Sequence, residues 1–263
     1  MKNRTSLVLT MLSFACVSSC LHAQRRIAIP EHLSPEAKKE YERLASELQE
    51  AQAESRKKMM ENARKARTGG ARTISIRMQR SFPKVADEFV KQAGSFAKSD
   101  DAIAFLVQAS RLDDRKESVQ KIMAKLLADH IESKRLADAA LGLPALARTL
   151  GNDGVNAIAA KIIEKSPHKS VQGAAFYARS TLVLDRRGNK SEGRERAIAD
   201  LRRALKLAPD VLPARAKGQL YEAEKLQVGM VAPNIVGKDI DDVDFELSDY
   251  KGKVIMLDFW GDW

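Results

Sequence analysis

The sequence predicts a mainly α protein, an irregular array of short helices that gives way to a brief β segment near the C-terminus. Three observations carry this. The composition is 44% hydrophobic and 30% charged but only 5% aromatic, a mix rich in Ala, Leu, Lys, Arg and Glu that favours helices over sheets. Apolar residues from Phe82 to Leu207 recur at helical spacing between polar or Gly/Pro punctuation. After Lys225 the Ala-rich pattern is replaced by Gly229, Pro233, Gly237 and runs of Val, Ile, Phe and Leu, which marks a boundary near Leu226 and a switch to strands. A length of 263 residues suits one complete domain and part of another. The predicted organisation is a leader over residues 1–23, a helical module over 34–225 and a second domain begun at 226.

At the N-terminus, Lys2 and Arg4 precede an apolar run over residues 7–17, and Leu21-His22-Ala23 before Gln24 supplies a cleavage site. This is the pattern of a secretory signal peptide. The run is too short to span a bilayer, which takes about 20 apolar residues, and no later stretch offers a span. Val17-Ser18-Ser19-Cys20 also resembles a bacterial lipobox, in which Cys20 becomes the acylated first residue. Two destinations stay open: release into the periplasm or cell envelope, or a lipoprotein anchored through Cys20. The chain's two cysteines, Cys16 and Cys20, both fall inside the leader. The exported part therefore has no internal disulfide, Cys-based metal site or Cys-x-x-Cys pair.

The formal charge is +10, and it stays strongly positive after Lys2 and Arg4 are removed. Export argues against nucleic acid as the partner, and the cations between Lys38 and Arg67 are interspersed with acids as on a solvated helix face. The denser group Arg64, Lys65, Arg67, Arg72, Arg77 and Arg80 flanks Gly69-Gly70 and suits a solvated linker, with an anionic membrane surface or acidic partner as the alternative.

Ser34-Pro35-Glu36 opens the first helix, since Ser caps and Pro suits the first helical position. It runs to about Arg67 and ends at Gly69-Gly70. Its apolar residues Leu44, Leu48, Met59 and Met60 are sparse among charges, which predicts a long exposed or coiled helix rather than a core one. Short amphipathic helices follow. Val85, Phe89 and Phe96 share one face, and Ile103, Leu106 and Val107 the next. Asp114 and Glu117 have capping-box spacing ahead of Val119, Ile122, Met123, Leu126 and Leu127. Further helices fit residues 133–141, 144–150, 155–165, 171–185 and 192–207. Helices this short must stack on neighbours. Ala174, Tyr177 and Ala178, then Ala197, Leu201, Ala204, Leu205, Leu207 and Pro209, echo one helix–turn–helix unit of the tetratricopeptide sort. With no second clear copy, an irregular array is the preferred reading and a tetratricopeptide-like one the alternative.

Several catalytic classes are excluded. His32, His130 and His168 lack metal-ligand spacing and suit surface or packing roles. The acidic string Asp239, Asp241, Asp242, Asp244 and Glu246 lacks the Gly and terminal Glu of a calcium loop and suits a hairpin tip. There is no Gly-rich phosphate loop and no Gly-x-Ser-x-Gly elbow. No metal or cofactor is expected.

The C-terminal segment carries three ordered submotifs: Val228-Gly229-Met230-Val231-Ala232-Pro233-Asn234-Ile235, then Phe245-Glu246-Leu247-Ser248-Asp249-Tyr250-Lys251-Gly252-Lys253, then Val254-Ile255-Met256-Leu257-Asp258-Phe259-Trp260-Gly261-Asp262-Trp263. Together they resemble the start of the redoxin family, which covers TlpA- and ResA-like thiol–disulfide oxidoreductases and the peroxiredoxin-type (AhpC/TSA) reductases. The helix around Gly173 and the Ser166-Pro167-His168 ahead of it are more weakly similar to N-terminal regions of exported redoxins. The resemblance implies a thioredoxin-like α/β domain beginning with a β-hairpin and its first central strand, 254–260, with the expected Cys-x-x-Cys immediately after Trp263. It departs from the family where Asp241-Asp242 occupies a turn that often holds Asp-Gly. In the family role, a cysteine at the helix N-terminus after this strand ionises readily and attacks a disulfide as thiolate. Asp258 would be the buried carboxylate that exchanges a proton with the second cysteine, and Trp260 and Trp263 would wall the site. The implied partners are protein disulfides or thiols, or peroxides, with a membrane-bound reductant as electron source. Without the cysteines the chain itself is expected to be inactive, and a non-enzymatic helical interaction protein is the competing reading.

Overall fold

The structure, a computed structural model, describes residues 27–68, 79, 81–184 and 193–258. The predicted leader with Cys16 and Cys20, Gly69-Gly70, Arg72, Arg77 and Arg80, and Trp260 and Trp263 lie outside the described residues. The fold is mainly α with a short β-hairpin, as the composition predicts.

Helix α1 spans Pro35–Thr68. Ser34 caps it as expected, its Oγ accepting the Ala37 N–H at 3.3 Å, and it also donates to Asp101 Oδ2 at 2.7 Å, which ties the helix start to α3 (Asp101–Leu112). The expectation of an exposed helix holds only for its second half. Ala37, Tyr41, Leu44, Ala45 and Leu48 are buried, because Tyr41 and two alanines complete the stripe that Leu44 and Leu48 begin. Tyr41 meets Phe89 and Phe105 edge-on, each with ring centroids 5.3 Å apart, and Phe96 stacks on Phe105 at 5.4 Å. Four aromatic residues thus come together where α1, α2 (Pro83–Ser95) and α3 meet.

Helix α4 covers Lys116–His130 and its buried face carries Val119, Ile122, Met123 and Leu126. The Asp114/Glu117 capping box does not form. Buried Asp113 takes the role instead, accepting the Arg115 N–H at 2.9 Å and the Arg115 guanidinium from Nε and Nη2, while the same guanidinium reaches Asp87 on α2. Burial pushes the Asp113 carboxyl up, but these bonds and one from Ser118 outweigh it and hold the group below the ordinary carboxylate range.

After α5 (Leu136–Gly142) and a 3-10 turn (Leu143–Leu146), α6 spans Ala147–Lys165 with a break at Gly151, where φ is 75°. The break divides this stretch into two helices, as expected over 144–150 and 155–165, although the first of them begins as the 3-10 turn. Helix α7 (Lys169–Leu184) is buried nearly all round and divides the interior. Val171, Ala174, Ala175 and Ala178 face the large core, and Phe176 and Tyr177 face a smaller one with Leu201 and Ala204 of α8 (Arg194–Leu207). At Gly173 a Cβ would lie 2.5 Å from that of Ala208, so only glycine lets the end of α8 approach this closely. Arg179 of α7 grips buried Asp200 of α8 in a two-pronged ion pair at 2.6 and 2.7 Å. A helix not anticipated singly, α9 (Arg215–Lys225), packs on this pair, with Gln219 accepting from the Tyr177 hydroxyl at 3.0 Å. The single helix–turn–helix echo in the sequence is thus α7–α8 extended by α9.

Strands β1 (Val236–Lys238) and β2 (Asp244–Glu246) pair antiparallel, with Gly237 opposite Phe245. The expected strand over 254–260 does not form over its described part, 254–258, which is irregular and exposed. A strand needs ladder partners, and among the described residues β1 and β2 pair only with each other.

Candidate functional site

The segment that carries the submotifs is assembled by backbone geometry and one asparagine. Gly229, at φ 91°, turns the chain out of α9, and the Met230 N–H closes the turn on the Gln227 carbonyl at 3.0 Å. The hairpin tip then relies on Asp239, whose Oδ1 accepts the N–H groups of Asp241 and Val243 at 2.9 and 3.0 Å. The Asp242 N–H bonds the Asp239 carbonyl at 3.1 Å, and Asp242 itself sits at φ 61°. This is the three-residue loop that ends in a left-handed position. The position that often holds Gly in the resembled family is here an Asp, a residue that tolerates this conformation at modest cost. Within the acidic string the Asp239 carboxylate is spent on the turn and that of Glu246 on Asn234 and Ser248, and among the described residues no group of three or more His, Cys, Asp or Glu side chains is arranged to hold a metal.

Asn234 clamps the first submotif to the second. Its Nδ2 donates to Glu246 Oε2 at 2.8 Å and its Oδ1 accepts the Ser248 N–H at 2.9 Å, while Leu247 N–H reaches the Ile235 carbonyl at 2.9 Å. Glu246 and Asp249 cap the 3-10 turn Leu247–Tyr250 reciprocally, with Asp249 Oδ2 accepting the Glu246 N–H at 3.0 Å. Their spacing is that of a capping box, a signal legible in the sequence. Lys253 then lies 5.5 Å from the Tyr250 ring centroid after Gly252 turns at φ 83°.

Of the predicted site residues, Asp258 is described and exposed, whereas Trp260, Trp263 and Cys20 lie outside the described residues. The histidines do not form a centre with His32. His168 Nε2 lies 2.8 Å from the Glu132 carbonyl, which pins the start of α7 to the α4–α5 loop, and buried His130 leaves its Nε2 without a partner. No helix among the described residues is long and apolar enough to cross a membrane.

No family model matches the chain, and no solved structure matches it. The chain is similar to the thiol-disulfide oxidoreductase ResA of Bacillus thuringiensis subsp. konkukian (strain 97-27), 43% identical over 47 residues, which cover 18% of this chain and 27% of that protein. It is likewise similar to the thiol-disulfide oxidoreductase ResA of Bacillus anthracis, 45% identical over 47 residues with the same shares covered. The match thus spans 27% of the length of these curated relatives. Part of the chain is related to thiol–disulfide oxidoreductases.

Proposed function

We propose that this chain belongs to an exported thioredoxin-like thiol–disulfide oxidoreductase of the redoxin family, acting on protein disulfides or peroxides in the cell envelope. The helical module, 34–225, precedes the first elements of the catalytic domain, begun at 226. The observation that carries the reading is the partial match to the two ResA proteins, which fits the ordered submotifs that Asn234 ties together. In this reading Asp258 exchanges a proton with the less exposed cysteine, Trp260 and Trp263 wall the site, and the reactive thiolate is favoured by a helix N-terminus. The 263 residues hold no Cys-x-x-Cys pair, so turnover belongs to a form that carries one after Trp263. The second reading, a helical interaction protein, is supported by the α7–α9 unit, whose helices pack around a small core of their own.

The codons after the one for Trp263 decide between the two. An in-frame Cys-x-x-Cys supports the oxidoreductase, and a stop supports the interaction protein. Insulin-disulfide reduction should then be absent from the 263-residue chain and present in the extended one; turnover by the short form would overturn this account of the site.

A further inference from the structure

We propose that the cavity between α1, α3, α5 and the segment 27–30 binds a small amphipathic monocarboxylate, with Arg111 as the anion's partner and Tyr41 and Gln108 as hydrogen-bonding groups. The cavity has a volume of about 440 Å³, a size that suits a small organic molecule. Its walls include Ile27, Ile103, Ala104 and Val107, which offer an apolar body somewhere to sit.

Three polar groups converge on this apolar space. Tyr41 and Gln108 line it although they are only 3% and 8% exposed, and neither side chain has a hydrogen-bond partner among the described residues. Neither is among the buried polar atoms left without a partner, so both keep access to solvent at the cavity, where an occupant can take the place of water. Arg111 also lines the cavity without an ion pair among the described residues. Its Nη2 passes 2.6 Å from where a Cβ on Gly142 would sit, so the missing side chain makes room for the guanidinium. Burial pushes the Tyr41 hydroxyl up to about 12 while Arg111 draws it down. Tyr41 therefore stays protonated at neutral pH and can donate. A tyrosine hydroxyl, a primary amide and a guanidinium together suit a carboxylate, which accepts several bonds at once.

Charge selects a monoanion. Arg111 and Arg135 are opposed at the cavity by Asp138, which leaves one excess positive charge among these three groups. A phosphate dianion would exceed that charge and have no use for the apolar walls.

The test titrates the full chain at neutral pH with hexanoate, phenylacetate, inorganic phosphate and hexan-1-ol, followed by calorimetry and by NMR. The carboxylates should bind with Kd below about 1 mM, at least about tenfold tighter than the alcohol, as one charge-assisted contact implies. Arg111→Gln, at an exposed position, should abolish that preference, and Gly142→Ala should weaken it by displacing the guanidinium. Tyr41→Phe keeps the aromatic packing and should weaken carboxylate binding about threefold or more with little change in Tm. Equal binding of alcohol and carboxylate, binding indifferent to Arg111→Gln, a preference for phosphate, or no carboxylate binding would each overturn the proposal.

Discussion

At Gly173 the chain depends on an atom that is missing. A Cβ there would lie 2.5 Å from the Ala208 Cβ and 3.2 Å from the Ala204 carbonyl oxygen, and backbone cannot give way as a flexible side chain would. Gly173→Ala should therefore destabilise the protein by about 1–3 kcal/mol through overpacking, although alanine is the better helix former. A thermal melt checks this, and an unchanged or raised Tm would show that α7 and α8 can slide apart freely. Asp113 makes a different prediction. Its carboxyl is held below its unfolded value of about 3.9. It thus contributes stability that is fully present above that value and lost as pH falls through the folded one. Asp113→Asn should cost about 1–3 kcal/mol at neutral pH and flatten the acid limb of the stability curve below about pH 4. Denaturant melts across that range measure both effects, and an unaltered acid limb would show that other carboxylates dominate it.

Between elements, the Arg179–Asp200 pair is the most buried ion pair among those described, with side chains 14% and 4% exposed. Asp200→Asn leaves Arg179 half-paired in a low-dielectric gap between α7 and α8 and should cost about 3–5 kcal/mol, whereas the double replacement Arg179→Met, Asp200→Leu should cost clearly less. The double-mutant cycle is the measurement, and additive losses would mean that the two side chains act independently. The same scale shows what the sequence made legible. Helices whose apolar residues recur locally, such as α4 with Val119, Ile122, Met123 and Leu126, can be read because their period depends on neighbours three and four residues away. The core role of α1 was hidden because Tyr41 is needed to complete its stripe and its aromatic partners come from α2 and α3. The strand expected over 254–260 is absent from its described part, 254–258, for the opposite reason: the apolar run is present, but strand formation is decided by a ladder partner that local pattern does not specify. Likewise, Asn234 gives no local sign that it will span to Glu246 and Ser248, so the clamp appears only when the backbone brings them together.

For the whole molecule, burial changes character along the chain. The helices share a large core, and α7 carries a second one on its other face. Beyond Lys225 the apolar side chains of Val228, Val231, Ile240, Val254 and Met256 are exposed. A form ending at Lys225 should accordingly keep a strongly helical circular-dichroism spectrum and a single cooperative melt. Limited proteolysis of the 263-residue chain should cut first after that residue. Loss of helicity in the shortened form would show that the helical array needs the hairpin. Such apolar exposure also makes the C-terminal segment the place where association or cleavage should begin.

Helix α1 leaves its partners partway along. Its buried residues end at Leu48, and its later turns carry the intrahelical pairs Glu54–Lys58 and Glu61–Lys65 on an exposed surface, each worth only a few tenths of a kcal/mol. One continuous helix therefore has two lifetimes. Amides near Tyr41 and Leu44 should exchange with solvent deuterium only when the core opens, while those near Glu61 should exchange by fraying of the helix's later turns. The boundary between slow and fast amides, expected within the decade after Leu48, would mark where tertiary support for the helix stops.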